Sequence, residues 1–523
     1  MQESAVKILW VDDEIGLLKP HMIFLKQKGM EVTPATNGDD AIDMVTQEDF
    51  DLVFLDENMP GQSGLEVLPQ IKKIRPHLPI VMITKSEEEH IMESAIGKQI
   101  SDYLIKPVNP NQILLSVKKI LQGRTLVSQS INQGYQQDFS QIGQMFFEDI
   151  SAEEWVEVYH KLVHWEIQLS GIEDQSMMEI LQSQKSEANV NFGKFIAQNY
   201  LDWVNSPVSE RPVLSPDLLG EKVFPHIKAG EYSLFFILID CLRYDQWKAF
   251  EPILAQYYTI DKEESYYAIL PTATQYARNS IFAGMFPYDI SEKFPKYWVN
   301  DDEEGGKNLH EADFLKEQII RKRLNIKHSY HKIITADDGK QIADNVLNLL
   351  HNDLNVIVVN FIDLLSHARA EMNIIKELAP DEAAYRSISR SWLEHSSLLE
   401  LFKKLRDRKV KIIISTDHGT IRVKRPLKII GDRNTTTNLR YKQGRNLNYD
   451  TKSRQILSIN KPQEAKLPKS TVSGTYAFAL EDCFFVYPNN FHYYADFYKD
   501  TFQHGGISME EMIVPIVSLS PKG

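Results

Sequence analysis

Short apolar runs in this chain stop, one after another, at a residue that can do chemistry. Val6–Val11 stops at Asp12-Asp13-Glu14, residues 53–55 at Asp56, residues 79–83 at Thr84, and Asp102–Ile105 at Lys106-Pro107. The pattern returns far downstream. Ser233–Ile239 stops at Asp240, residues 355–362 at Asp363, and Val410–Ser415 at Thr416-Asp417. Apolar runs of this length with polar ends read as buried strands. Between them lie helical spacings, as in residues 17–28 and 39–47. Strands alternating with helices make the fold class α/β, with mostly parallel sheets covered by helices. In such sheets ligands gather at the carboxyl ends of the strands, where these polar residues fall.

The two groups of strands are separated by a stretch without strand-like alternation, which divides the 523 residues into three parts: 1–122, 123–207 and 208–523. The middle part carries apolar residues at helical spacing, among them Ile142, Met145, Phe146, Trp155, Val158, Tyr159, Leu162 and Val163. Ser151 and Glu154 have the spacing of a capping box at a helix start. Three to five packed helices are expected there, acting as a spacer or as a lever. Only Cys241 and Cys483 are present, no run of 18 apolar residues occurs, and the first residues do not read as a signal peptide. These features predict a cytoplasmic protein. No basic helix-turn-helix follows the linker. More than 300 residues of strands and helices follow instead, the size of an enzyme.

In the first part, Asp56 is placed to attack a phosphoryl group as a nucleophile. Two anions must approach for that to happen. Asp12 and Asp13, with Asp56, can hold a Mg2+ ion that relieves the repulsion. Lys106 can pair with the incoming charge, Thr84 can hydrogen-bond the phosphate, and Tyr103 can reposition behind it. The DDE after the first strand, LDENMPGQSG around Asp56, Thr84 and Lys106-Pro107 closely resemble the response-regulator receiver family over residues 4–122. The resemblance implies a flavodoxin-like domain, phosphorylation on Asp56, and a sensor histidine kinase as partner. Lys85 departs from the family, which usually has a small residue after the switch threonine.

In the third part, strand-end aspartates are accompanied by histidines: Asp363 with His367 four residues on, Asp417-His418-Gly419, and His504-Gly505-Gly506. They divide into two ligand sets. Asp240, Asp417 and His418 form one, completed by a threonine hydroxyl; Asp363, His367 and His504 form the other. Mixed carboxylate and imidazole donors suit Zn2+ or Mn2+ better than Mg2+. Two such ions could clamp the attacking and leaving oxygens of a phosphoryl displacement. The order Asp, Thr, Asp-x-x-x-His, Asp-His-Gly, His-Gly-Gly resembles the alkaline phosphatase superfamily, and its PglZ branch in particular. That resemblance implies an alkaline-phosphatase-like domain with a central, mostly parallel sheet. In the related motif the nucleophile is followed by Arg or His at the fourth position and Gly at the tenth. Thr274 meets both conditions through Arg278 and Gly284. Thr272 meets neither and is the second choice. Arg278 and Arg243 become candidates to bind phosphate oxygens, with pairing to a nearby carboxylate as the alternative for Arg278.

Residues 421–470 carry thirteen Lys and Arg against Asp432, Asp450 and Glu464, within a chain of net charge −14. Arg440-Tyr441-Lys442 and Asn448-Tyr449 interleave aromatics with charge, a combination suited to nucleotide phosphodiesters. A mobile, solvated loop is the plain alternative. The whole order of parts resembles the PorX regulators linked to type IX secretion. It implies control by a sensor kinase and contact with a sigma factor or a secretion-system component. The phosphatase-superfamily resemblance allows phosphomonoesters, phosphodiesters and sulfate esters; the insert favours a zinc-dependent phosphodiesterase acting on oligonucleotides or cyclic nucleotides, and dimerisation on phosphorylation is expected. The rival expectation is a non-catalytic, metal-stabilised regulator that acts by protein contacts.

Overall fold

The structure is a computed structural model. It describes residues 6–84, 100–120 except 109, 111, 112, 115, 118 and 119, 134–146 except 136, 149–170, 175–301, 303, 305–371, 379, 381–432, 435–450, 453–469 and 474–522; the side chains of 105, 175, 176 and 367–371 are outside this description. The chain divides into two compact units, Met1–Gly134 and Tyr135–Gly523.

In the first unit, strands β1 (Val6–Val11), β2 (Met30–Ala35), β3 (Leu52–Asp56), β4 (Ile80–Thr84) and β5 (Asp102–Ile105) form one sheet in the order β2-β1-β3-β4-β5. Every pairing is parallel. Alternate residues face opposite sides. Leu9, Val11, Val53 and Leu55 pack with Val67, Leu68 and Ile71, while Ile8, Trp10, Leu52 and Phe54 pack with Ile113 and Val117. Both faces are therefore buried, which explains the continuous apolar runs. The helix Gly64–Ile74 opens with a Ser63–Glu66 capping box. A Cβ at Gly64 would lie 2.4 Å from the Asp56 carbonyl oxygen, so glycine lets this helix start against the strand end.

The second unit joins the helical segment to the larger sheet. Helices Ala152–Ser170 and Gln175–Asn205 form the segment's main body. The Ser151–Glu154 capping box is present, with Ser151 N donating to Glu154 at 2.7 Å and Glu154 N to Ser151 Oγ at 3.2 Å. Trp155, Val158, Tyr159, Leu162 and Val163 are all buried, as their spacing requires. Trp155 meets Phe192 at 5.4 Å between ring centroids, and Trp203 meets Tyr267 of the sheet at 5.2 Å. Aromatic packing thus fixes the helices onto the sheet rather than leaving them as a tether.

The larger sheet contains β6 (Ser233–Ile239), β7 (Tyr258–Tyr267), β8 (His328–Ile333), β9 (Leu354–Val359), β10 (Val410–Ser415) and β11 (Ile513–Pro521), in the order β7-β11-β10-β6-β9-β8. The four strands β10, β6, β9 and β8 are mutually parallel, and β11 runs antiparallel to β10 and β7. Asp240 and Thr416-Asp417 follow β6 and β10, as their sequence predicts. Asp363 differs: β9 ends at Val359, and Asp363 lies in the first turn of the helix Phe361–Glu371. The apolar run continues past the strand because Ile362, in that turn, is itself buried. Periodicity cannot separate a buried strand end from a buried helix start.

The described part of residues 421–470 is not a solvated loop. Their strands Arg425–Ile430, Tyr441–Gly444 and Ile456–Ile459 pair with Cys483–Val486 and Thr475–Ala479. Ile429, Ala477, Ala479, Cys483 and Phe485 form a small core beneath them. Among the described residues, no helix is long and apolar enough to cross a membrane.

Candidate functional site

At the carboxyl edge of the first sheet, oxygen atoms of Asp12, Asp13 and Asp56 lie within 4.8 Å of one another. Asp12 and Asp56 are buried and Asp13 is exposed. Lys106 Nζ lies 2.9 Å from Asp12 Oδ2 and 2.9 Å from Asp56 Oδ2. Burial pushes the Asp56 carboxyl up, and Lys106 works against that shift. Thr84 closes the neighbouring strand, where its carbonyl accepts from Lys106 N at 2.7 Å. Tyr103, on β5, is half-buried against the core. The acidic cluster fits a hard divalent cation. Lys85 lies outside the described residues.

In the second unit, Thr274 is the first residue of the helix Thr274–Ala283. Its Oγ1 is 3.1 Å from His418 Nε2 and 3.5 Å from Asp240 Oδ1. Ligand atoms of Asp240, Asp417 and His418 lie within 4.8 Å of one another, and all three residues are buried. The left-handed backbone of Cys241 (φ 68°) turns the chain after β6, and its N–H donates to Asp417 Oδ1 at 3.3 Å. Next to this set, the His418 and His504 rings stack at 4.3 Å, and His504 Nε2 is 3.7 Å from Asp363 Oδ1. The His367 side chain lies outside the described residues.

The electrostatics favour a bound cation. Burial raises the Asp240 carboxyl well above its ordinary range despite Arg278 beside it, raises Asp417, and lowers His418. Asp417 Oδ2 is buried without a hydrogen bond among the described residues. Two buried acids and a neutral imidazole, with an unmatched oxygen among them, are the donors a Zn2+ or Mn2+ ion takes.

Several sequence expectations need correction here. Arg278 takes the second of its two readings, a carboxylate partner: it is buried, with Nη1 2.8 Å from Asp240 Oδ2 and Nε 2.7 Å from Glu311 Oε1. Arg243 pairs with Asp245 and Glu382, with its guanidinium over the Phe502 ring at 5.0 Å and its Nη1 buried without a hydrogen bond among the described residues. Buried guanidiniums need carboxylate partners, and both found them in the protein. The Thr272 hydroxyl is occupied too, donating to Gly506 O at 2.9 Å and accepting from Gly505 N at 3.0 Å. It holds the His504 loop instead of facing a substrate. Arg440 and Lys442 are buried; Arg440 Nη2 pairs with Glu511 Oε2 at 2.6 Å. Lys442 sits 4.5 Å from the Tyr487 ring centroid, and burial lowers its ammonium to about 7.

Glu311 and Glu511 were not anticipated from the sequence. Nothing local marks Glu311. Glu511 had a signal, since Ser508 and Glu511 have the Ser-x-x-Glu spacing of a helix start, and Glu511 N indeed donates to Ser508 Oγ at 3.2 Å.

Family models match the chain in three consecutive segments. Residues 8–118 match the response regulator receiver domain, 125–204 the PorX response regulator linker domain, and 218–519 the BREX system PglZ alkaline phosphatase-like domain. Among curated proteins, it is 35% identical over 120 residues to the transcriptional regulatory protein ResD of Bacillus subtilis, covering 23% of this chain and 50% of ResD. It is 33% identical over 125 residues to the alginate biosynthesis transcriptional regulatory protein AlgB of Pseudomonas putida, covering 24% of this chain and 28% of AlgB. Similar solved structures include a CheY-like receiver domain protein from Methanospirillum hungatei, 30% identical over 23% of this chain and 98% of that one, with a TM-score of 0.22. Another is the response regulator TrrA from Thermotoga maritima in complex with Mg2+ and BeF, 32% identical over 22% and 98% of the two chains, with a TM-score of 0.21. The PglZ match spans more than half the chain, and with the receiver and linker matches before it the chain belongs to the PorX-type response regulators with a PglZ alkaline phosphatase-like output domain.

Proposed function

We propose that phosphorylation of Asp56 by a sensor histidine kinase controls a two-cation phosphodiesterase centre in which Thr274 is the nucleophile. The observation that carries this reading is the convergence of Asp240, Asp417 and His418 around Thr274 Oγ1, with Asp363 and His504 alongside. Asp240, Asp417 and His418 would hold one ion; Asp363, His504 and His367 would hold the other. When bound, Zn2+ or Mn2+ supplies Lewis-acid charge to the hydroxyl and to the phosphate oxygens. Thr274 Oγ1 attacks phosphorus, the alcohol leaves, and water later cleaves the phospho-threonine. Thr274 opens a ten-residue helix, whose positive end faces the same anion.

A diester fits better than a monoester. A monoester brings a second negative charge, and the two guanidiniums expected to meet it are committed to protein carboxylates. The nucleotide part of the reading no longer rests on Arg440 or Lys442. It rests on Arg445 and Arg454, exposed on the same insert, with half-buried Tyr449 between them in sequence. Dimerisation on phosphorylation, and contact with a sigma factor or secretion-system component, follow from the likeness to PorX regulators and belong to this proposal.

The test is hydrolysis of bis-p-nitrophenyl phosphate by zinc-loaded protein. Thr274→Ala should cost about a thousandfold or more in rate, while Thr272→Ser, which keeps the loop hydroxyl, retains activity. No hydrolysis above the Thr274→Ala control, with zinc bound, defeats the enzyme reading. The same commitment of Arg243 and Arg278 supports the second reading, a non-catalytic regulator that holds metal for structure. Full biological output from Thr274→Ala would favour it.

A further inference from the structure

We propose that Glu511, buried behind the candidate metal centre, is a positioning residue that holds the His418 and His504 loops in register for two cations. This rests on the two-cation reading and deepens it. One residue ties both loops. Its main-chain oxygen accepts from Gly419 N at 3.1 Å, one residue after His418. Its side-chain Oε1 accepts from Gly506 N at 2.9 Å, two residues after His504. Each loop passes so close to neighbouring backbone here that only glycine fits. A Cβ at Gly419 would lie 2.0 Å from Glu510 O, and one at Gly506 would lie 2.5 Å from Ala479 O.

The imidazoles held by these loops are oriented alike. His504 Nδ1 is 3.1 Å from Thr272 O, and His418 Nδ1 is 3.2 Å from Gly419 O. Each carbonyl accepts from Nδ1–H, so each ring turns Nε2 toward the acids. Residues behind a ligand commonly set its geometry in this way.

The side chain must be a carboxylate. Besides Gly506 N, Oε1 accepts from Arg440 Nε at 3.1 Å; Oε2 accepts from Ser508 Oγ at 2.7 Å and Arg440 Nη2 at 2.6 Å. Every partner is a donor. A glutamine has one acceptor oxygen and would point its NH2 group at further donors. It would also leave the Arg440 charge buried without its partner. Its main-chain oxygen, however, would still hold Gly419. The loss therefore falls on the His504 loop more than on the His418 loop.

That asymmetry is the test. Zinc is titrated into the full chain against a chromophoric chelator, resolving two successive binding constants. Wild type should take two ions. Glu511→Gln should weaken one site about 10- to 100-fold and change the other less than about threefold. Far-UV circular dichroism checks folding. If Glu511→Gln does not fold, Ser508→Ala carries the test, since it removes one donor and keeps the Arg440–Glu511 pair; it should weaken the same site several-fold. A folded variant with both constants unchanged overturns the proposal. So does equal weakening of both sites with a lower melting temperature of the metal-free chain, because that is general loosening. Wild type binding fewer than two ions instead sinks the two-cation reading itself.

Discussion

Arg278→Met should destabilise the metal-free protein strongly and the zinc-loaded protein much less. Arg278 is 2% exposed in its side chain and lies 2.8 Å from Asp240 and 2.7 Å from Glu311, with Asp417 at 3.8 Å. Methionine fills much of the same space but leaves these acids without the guanidinium. Glu311 keeps Lys332 at 3.0 Å, so most of the loss concerns Asp240. Removing one partner of a buried pair typically costs about 3–5 kcal/mol. Asp240 is already pushed up by burial with Arg278 in place, so in the variant protonation limits the cost. With zinc bound, Asp240 has another cation to draw on, and the cost should fall to about 1–2 kcal/mol. By linkage, zinc then stabilises the variant more than the wild type, by about 2 kcal/mol. The assay is urea unfolding followed by tryptophan fluorescence, with and without zinc, at neutral pH. A metal-free cost below about 1 kcal/mol, or equal costs with and without zinc, would refute the charge-balance argument. The first would mean that Arg278 is not the counter-ion its distances indicate. The second would mean that the centre does not share Asp240 between guanidinium and cation.

Asp56→Asn should abolish uptake of acid-labile phosphate from acetyl phosphate while leaving zinc binding unchanged; phosphate bound in equal amount would place the acceptor elsewhere. His160, on the helix Ala152–Ser170, stacks on Tyr244 at 3.8 Å, and burial lowers its imidazole to about 4. A histidine held neutral contributes stability above its unfolded pKa, about 6.5, and loses it as pH falls through the folded value. The loss approaches about 3 kcal/mol below pH 4, at about 1.4 kcal/mol per unit. His160→Phe keeps the stacking and should flatten the decline in melting temperature between pH 6.5 and 4; an unchanged profile would assign the acid sensitivity to other groups.

The residues that the sequence places at strand ends share one property: each is the last residue of its strand or lies within two residues of it. Asp12, Asp56, Thr84, Lys106, Asp240 and Asp417 are placed by the end of a strand whose apolar run is visible, so position and chemistry are read together. The place of Thr274 at a helix start was legible through the family motif, since its spacing to Gly284 spans one helix, from its first residue to its left-handed cap. Asp363 failed at the boundary, where a buried helix start continues a buried strand's pattern. The arginines depart from a phosphate role for a different reason, and for Arg278 the carboxylate alternative is the one the structure takes. A sequence counts positive charges as if each were available to a ligand, but burial commits a guanidinium to whichever carboxylate the fold brings near. For Arg278 that carboxylate is Glu311, 33 positions on, and for Arg440 it is Glu511, 71 positions on. Neither pairing follows from local pattern, because the chain between the partners passes through other elements. Charge excess in residues 421–470 therefore overstated the positive surface offered to an anion. Part of it neutralises buried acids: Arg440 pairs with Glu511 at 2.6 Å and is not free to meet a phosphate.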